Sequence, residues 1–291
     1  TVGKLGDALR RMGADYVFDT DLGADLTIME EASEFLERMR AGARLPMFTS
    51  CCPGWVRFLK SQYPERTEEL STAKSPQQMF GAVAKTYLAQ LLHIPPEKIY
   101  CISIMPCVAK KQEIDIPSIN DAGVGQDMDL SLTTREINRM IRAEHIDVHA
   151  LEEEEFDSPL GVGSGAGVIF GATGGVMEAA LRTAADLLTG ESQEAIEYTE
   201  IRGTEGFKEA VYKVAGMDVK VAVVSGLSNA DALLQKVRAG EADYQFIEVM
   251  CCPGGCVNGG GQPIQSSNNH SFYDIKKLRA QALYNQDKDM P

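Results

Sequence analysis

With 291 residues the chain is long enough to bury a full core, as one large domain or as two lobes. Its 44% hydrophobic and 24% charged residues fit an ordinary globular protein, and no apolar run approaches the ~18–20 residues of a spanning helix. Lys and Arg number 28 against 42 Asp and Glu, a net charge of −14 that excludes nucleic acid or an anionic membrane as a generic partner.

No signal peptide opens the chain. Thr1 is no initiator and a helix-like segment runs almost to Pro291, so both ends read as cut from a longer protein. Residues 5–12 read as a short amphipathic helix and 16–18 as a strand. Asp25 or Thr27 is placed to cap a helix reaching about Arg40, with Ile28, Phe35 and Met39 on its apolar side. That helix is also acidic: Glu31 and Glu34 share a face, as do Glu34 and Glu37, and spacing alone reads as a solvated surface. A short strand at 45–49 runs into S-C-C-P-G-W (50–55), and a helix with Pro53 in its first turn continues to Gln62. Residues 77–92 form a mostly buried helix. An apolar strand at 99–105 ends in Pro106-Cys107, and a strand at 127–132 precedes a helix at 133–142.

The acidic run 152–155, with Asp157 and Pro159, reads as a solvated connection between two lobes, 1–150 and 151–291. Gly161, Gly163 and Ala166 imitate part of a dinucleotide fingerprint. An acidic loop precedes them where a strand is needed, and no Walker lysine follows, so nucleotide binding is rejected. A helix follows at 176–188. Strands are expected at 197–202, 219–225 and 244–250, with helices at 206–214, 230–239 and 274–284. Alternating strands and helices make the fold α/β.

The seven cysteines are an odd number and fall mostly in short clusters, which is not how a disulfide framework is spaced. A reducing, cytoplasmic setting with metal-bound thiolates is expected. Three apolar strands end alike, in M-F-T-S-C-C-P (47–53), S-I-M-P-C (103–107) and E-V-M-C-C-P (248–253). Functional groups in open α/β sheets gather beyond the carboxyl ends of strands, so these ends are expected to meet. The site would draw on Cys51 or Cys52, on Cys107, and on two of Cys251, Cys252 and Cys256. Four thiolates suit a zinc ion or an iron–sulfur cubane equally in count. Ligands scattered over most of the chain, beside the polarizable Met105 and Met250, favour the cluster over a compact zinc knuckle. Cys101 reads as a core residue, and His93, His145, His149 and His270 fall outside every cluster.

T-S-C-C-P-G-W (49–55), M-P-C-V-A-K-K-Q-E (105–113), S-G-A-G-V-I-F-G-A-T-G-G-V-M-E-A-A-L-R (164–182) and E-V-M-C-C-P-G-G-C-V-N-G-G-G-Q-P (248–263) resemble the motifs of the iron-only (FeFe) hydrogenases, in the same order. The resemblance covers essentially the whole chain. It implies two α/β lobes, each a small, mostly parallel sheet flanked by helices, with the active site in the cleft between them. It also implies an H-cluster: a 4Fe–4S cubane held by Cys52, Cys107, Cys252 and Cys256, bridged by Cys256 to a diiron unit carrying CO, cyanide and an azadithiolate. Lys110 would donate to a cyanide, while Met105, Met250 and Phe170 would pack around the diiron unit. Cys51 would pass protons, which would travel on through water to Glu31, Ser71 and Glu34. The implied reaction is the reversible reduction of protons to dihydrogen. Its implied partners are a ferredoxin or flavodoxin and the proteins that mature the diiron unit.

The chain also departs from the pattern. Cys251 stands where the family usually has a small residue without a thiol, so the ligand assignment rests on the C-P-G-G-C spacing. Val108 replaces a common threonine, removing any hydroxyl contact made there. The family's segment upstream of Thr1 that contacts the diiron unit, its C-terminal tail and a Cys-rich ferredoxin-like domain are absent from the sequence. Two rival readings are a non-catalytic iron–sulfur protein of the cytosolic cluster-assembly type and a hydrogen sensor. Survival of Cys51, Lys110, Glu31 and Ser71 favours catalysis. Arg57, Lys60 and Lys74, just after the Cys52 turn, are the expected docking patch for an acidic electron carrier.

Overall fold

A computed structural model describes residues 1–190, 198–214 and 216–290. Its strands are β1 (Met47–Phe48), β2 (Ile102–Met105), β3 (Leu130–Thr133), β4 (Phe207–Val214), β5 (Met217–Ser225) and β6 (Phe246–Met250). They form two sheets, one ordered β1-β6-β5-β4 and the other β2-β3, and every pairing except β4–β5 is parallel. The fold is mixed α/β, with small parallel-dominated sheets flanked by helices. The larger sheet takes β1 from the first half of the chain and its other three strands from the second.

β6 is buried at every position, as a strand covered on both faces must be. Phe246 and Met250 face one core, shared with Ile28 and Phe35 of the Asp21–Ala41 helix and with Val176 and Leu181 of the Gly175–Thr189 helix. Ile247 and Val249 face a second core, built on Trp55 and Leu59 of the Pro53–Gln62 helix and on Leu233 of the Leu227–Ala239 helix. Aromatic rings fill both sides: Phe35 stacks on Phe246 at 5.0 Å, and Phe48 meets Trp55 at 5.5 Å. The sheet therefore has two dry faces, and the alternation of side chains along each strand decides which core a residue joins.

Several local expectations are overturned. Residues 207–214 form a strand, not a helix. Lys208, Tyr212 and Val214 point inward while Phe207, Glu209, Val211 and Lys213 point out, and the strand pairs antiparallel with β5. The helix-favouring Lys, Glu and Ala there are outweighed by this period-2 burial. Of the strand expected at 197–202, residue 197 lies outside the described residues, and Thr199–Ile201 make a single turn of 3₁₀ helix. Residues 16–18 pair with no strand. Asp157 instead accepts the Val17 N–H at 2.7 Å, and the Asp157 N–H donates to the Val17 carbonyl at 2.8 Å. The acidic connection is correspondingly less free than its charge suggests, because Arg10 clamps both Glu154 (2.6 Å) and Asp157 (2.9 Å). The helix expected to begin near Asp25 starts at Asp21 and ends at Gly42, whose φ of +62° closes it. The buried helix expected at 77–92 runs as Pro76–Val83, a π turn over Ala84–Leu88, and Ala89–Leu91.

Among the described residues no helix is long and apolar enough to cross a membrane.

Candidate metal centre

β1 and β6 lie side by side in parallel register, Met47 opposite Phe246 and Phe48 opposite Ile247. Their carboxyl ends therefore finish together and bring Cys51-Cys52 to Cys251-Cys252. The two are stitched directly: the Cys251 N–H donates to Cys52 Sγ at 3.3 Å, and the Val249 N–H donates to the Thr49 hydroxyl at 3.2 Å. β2 belongs to the other sheet, and its Pro106-Cys107 end reaches the site through the glycines that follow Cys256. The Gly261 N–H donates to the Pro106 carbonyl at 2.8 Å. A Cβ on Gly259 would stand 2.1 Å from that same carbonyl oxygen, so only glycine lets the two loops touch. Gly255, at φ +96°, packs its Cα against the backbone of Gly171–Thr173, where a Cβ would lie 2.6 Å from the Thr173 nitrogen.

The seven thiols are free, and six gather here. Cys52, Cys107, Cys252 and Cys256 lie close enough that the charges of all six pairs among them interact. Burial pushes Cys52, Cys252 and Cys256 above the ordinary thiol range; neighbouring thiols add to this for Cys252 and Cys256, while backbone N–H groups and Lys110 oppose it for Cys52. One buried and three half-buried sulfurs whose negative charges repel need a multivalent cation to ionise together. Four thiolates on one zinc at ~2.3 Å would stand roughly 3.8 Å apart, and among the described residues no three Cys, His, Asp or Glu side chains are grouped so as to hold a single ion. A wider group, such as an iron–sulfur cluster approached by small-residue backbone, matches the donor set.

Cys51 and Cys52 part company at this point. Cys51 joins the core of Phe170, Met250 and Phe246, with Cys256 packed against it. Cys52 joins the core of Trp55 and Val249, with Cys251 packed against that one. Met105, at the end of β2, is buried as well. The Lys110 ammonium is buried beside Cys51: it donates to the Cys51 carbonyl at 2.9 Å and to Glu113 at 3.0 and 2.8 Å. Burial works against its charge, but the Glu113 carboxylate and the facing thiols outweigh that and hold its pKa above the usual lysine value. Burial also pushes the Cys51 thiol well up, with Glu31 adding to the effect.

Of the acidic helix, Glu30 and Glu37 are exposed, but Glu31 and Glu34 are not on a solvated face. Glu31 is 0% exposed; Ser50 donates its N–H to Glu31 Oε1 at 3.3 Å, while Oε2 has no partner. Burial raises its pKa to about 8, against the opposing influence of Ser71 and the Ser50 N–H. The Ser71 hydroxyl donates to Glu34 Oε2 at 2.9 Å, and Arg38 holds Glu34 Oε1 at 2.6 Å. Cys51, Glu31, Ser71 and Glu34 thus run from the thiol cluster outward, ending on a Glu34 side chain that is 17% exposed.

Two residues that the sequence reading left unassigned belong to this site. Glu113 lies three residues after Lys110, on the same helical turn, and Arg38 lies four after Glu34. These i,i+3 and i,i+4 spacings were the available signal. Glu248 is a third: fully buried on β6, it accepts the Gly174 and Met177 N–H groups at 2.7 Å each and ties the strand to a helix start. Of the expected docking cations, Arg57 and Lys60 are exposed. Lys74 is committed to Asp121 and Asp127, each at 2.5 Å, and so presents little free charge. Cys101 lies in a separate core with Ile114 and Met128, and all four histidines are exposed, away from the thiols.

Comparison with known proteins agrees with this geometry. The family described as iron only hydrogenase large subunit, C-terminal domain, matches residues 1–260. The NADP-reducing hydrogenase subunit HndD of Solidesulfovibrio fructosivorans is 50% identical over 295 residues, covering 99% of this chain and 49% of that protein. Iron hydrogenase 1 of Clostridium pasteurianum is 48% identical over 288 residues, with 99% and 50% covered. The cytosolic iron-sulfur assembly component 3 of Mus musculus is 34% identical over 272 residues, with 90% and 57% covered. An apo FeFe-hydrogenase HydA1 structure from Chlamydomonas reinhardtii superposes with a TM-score of 0.83 at 42% identity, covering 99% of this chain and 78% of that one. The chain spans about half the length of the two hydrogenases named first.

Proposed function

The chain belongs to the iron-only hydrogenase large-subunit family, and on that premise we propose that it carries an H-cluster and interconverts protons and dihydrogen. Cys52, Cys107, Cys252 and Cys256 would hold the cubane, with Cys256 also bridging to the diiron unit. The meeting of the strand ends that carry them is the observation behind this reading: β1 lies beside β6 in parallel register, and the Pro106-Cys107 turn touches the glycines after Cys256. Cys251 would be left without iron, its side chain lying against Gly54 in the first turn of the Pro53–Gln62 helix. When bound, the diiron unit with its CO, cyanide and azadithiolate ligands supplies the redox chemistry at which hydrogen is made or split.

The protein's own part is to orient, to keep dry and to move protons. Met105, Met250 and Phe170 would wall the diiron site with buried apolar surface. Lys110 would present a compact positive charge to an anionic ligand, a task suited to an ammonium with rotatable donors. Cys51 would take up or give a proton on the dry side. Glu31, held partly protonated near neutral pH by its burial, can pass a proton in either direction. The Ser71 hydroxyl would carry it by rotating its single donor between Glu31 and Glu34, whose Arg38 partner fixes the outer end. Electrons would come from or go to a small acidic carrier of the ferredoxin or flavodoxin kind, and dedicated maturation proteins would supply the diiron unit.

A non-catalytic role, as the name of the assembly-component relative suggests for that protein, needs the four thiols but not Cys51, Lys110 and the buried Glu31. Cys51 facing the buried Glu31 on a route out to Glu34, with the Lys110 ammonium held beside Cys51, favours catalysis. The test is infrared spectroscopy and hydrogen turnover of the matured chain. CO and cyanide bands are expected with measurable turnover, and Cys51→Ala should keep the bands while losing about 10²-fold or more of the rate. Matured protein with four irons, no such bands and no turnover would leave the assembly-type reading standing.

A further inference from the structure

Behind Lys110 lies a polar network that the proton path and the cluster ligands do not use. Lys110 Nζ directs two of its three N–H bonds at Glu113, whose Oε2 also accepts the Ser75 hydroxyl at 2.8 Å and the Gln77 amide at 3.0 Å. Gln77 is itself oriented: its Nε2 also donates to the Lys110 carbonyl at 3.1 Å, and its Oε1 accepts the hydroxyls of Ser103 (2.5 Å) and Ser131 (3.0 Å). Those two serines are direct partners in the β2–β3 register. Every side chain in the network is buried.

The direction of each hydrogen bond is fixed by chemistry. The Lys110 carbonyl, which can only accept, sets the Gln77 amide so that its NH₂ faces Glu113 and its Oε1 is left for the serine hydroxyls, which donate to it. Glu113 then meets only donors: a hydroxyl, an amide NH₂ and an ammonium. An acceptor-only carboxylate satisfies all of them, whereas a glutamine there would turn its own NH₂ toward the lysine or the amide. From this we infer that Glu113 is the positioning residue for Lys110, holding the buried ammonium in the cluster pocket through a carboxylate that Ser75 and Gln77 lock in place. Two contacts to one carboxylate let Lys110 give up one N–H to an anionic ligand and keep its counter-ion. The inference rests on the reading of this pocket as the diiron site.

The test compares parent, Glu113→Gln, Glu113→Asp, Lys110→Met and the double variant Lys110→Met/Glu113→Gln. Each is loaded with the cubane, counted for iron, and then given the synthetic diiron complex. Glu113→Gln should keep four irons before that addition, take up the diiron complex about 10-fold less readily, and shift the cyanide bands in the direction seen for Lys110→Met. Glu113→Asp, which keeps the charge one methylene further back, should shift them less. The double variant should match Lys110→Met, because Glu113 acts only through that lysine. Cyanide bands unchanged in Glu113→Gln, or a double variant displaced beyond Lys110→Met, would overturn the inference. If Glu113→Gln alone does not fold, the double variant, which leaves no unpaired buried charge, decides by the same comparison. A parent with no CO or cyanide bands would overturn the diiron reading, and this inference with it. Bands in the parent that ignore Glu113 would overturn the inference alone.

Discussion

Replacing Glu31 with glutamine makes a quantitative test of how deeply that carboxyl is buried. Its pKa is raised from an ordinary 4.5 to about 8, chiefly by burial and further by the charges of Glu34 and Glu248, while Ser71 and the Ser50 N–H pull the other way. A carboxyl that is harder to ionise in the folded chain than in the unfolded one supports stability fully below pH 4.5. That support fades as pH rises and is gone above about 8. At ~1.4 kcal/mol per pH unit, the ramp is worth about 5 kcal/mol. Glutamine is nearly isosteric, can still accept the Ser50 N–H, and cannot ionise. Parent and Glu31→Gln should therefore unfold within about 1 kcal/mol of each other at pH 5. By pH 9 the variant should be the more stable by about 3–5 kcal/mol. For a chain of this size, with m of ~3 kcal/mol/M or somewhat more in urea, the midpoints should separate by about 1 M. The assay is urea unfolding of cubane-loaded protein under reductant at the two pH values. Every other titratable group is common to both proteins, so the difference reports Glu31 together with its couplings to the groups around it. If the parent's midpoint falls no more between pH 5 and 9 than the variant's, the carboxyl is not held protonated, and its role as a two-way proton carrier fails with it.

Cys251→Ala should keep four irons per chain and parent-like cluster absorption, because the Cys251 side chain lies against Gly54 and adjacent residues on an extended strand point to opposite sides, which parts it from the proposed ligand Cys252; an iron loss matching that of Cys52→Ala would mean the ligand set is misassigned. Gly259→Ala should lower iron content while leaving the helical circular dichroism in place. Its Cβ would fall 2.1 Å from the Pro106 carbonyl and push the Cys107 and Cys256 loops apart, a local overpacking of roughly 1–3 kcal/mol or more. Full iron retention there would show that the two loops can separate without cost to the site.

The thiol cluster was legible in the sequence because its cysteines sit at the ends of short apolar strands, where motif and geometry are both local. Met105-Pro106-Cys107 and Met250-Cys251-Cys252 are read from a handful of neighbouring residues, and the parallel register of β1 with β6 does the rest. The acidic helix was not legible in the same way. Glu31 and Glu34 have the spacing of a solvated face, and what buries Glu31 lies far off in the chain, around Ser50 and Ser71. Glu113 was hidden by its company, as one more charge in the run K-K-Q-E. Its meaning depends on Ser103 and Ser131 meeting across a sheet whose register no local pattern specifies. Residues 207–214 failed for a related reason: Lys, Glu and Ala favour a helix locally, and only pairing with β5 makes them a strand.

The same alternation explains how two adjacent cysteines can do different work. Met47 and Cys51 lie in one core, and Phe48 and Cys52 lie in the other. The backbone that leaves β1 thus keeps a side-to-side order through both thiols. Cys52 falls on the side of Trp55, caps the Pro53–Gln62 helix from an extended conformation, and meets the Cys251 N–H. Cys51 falls on the side of Phe170 and Met250, under the Lys110 ammonium and toward the buried Glu31. One residue inserted between Phe48 and Cys51 would exchange those faces. It would turn the proton-bearing thiol toward Cys251 and the ligand thiol toward the acidic helix. The proposed division of labour between a thiolate that would bind iron and a thiol that would move a proton is therefore one that strand parity can set, with the same chemistry in both side chains.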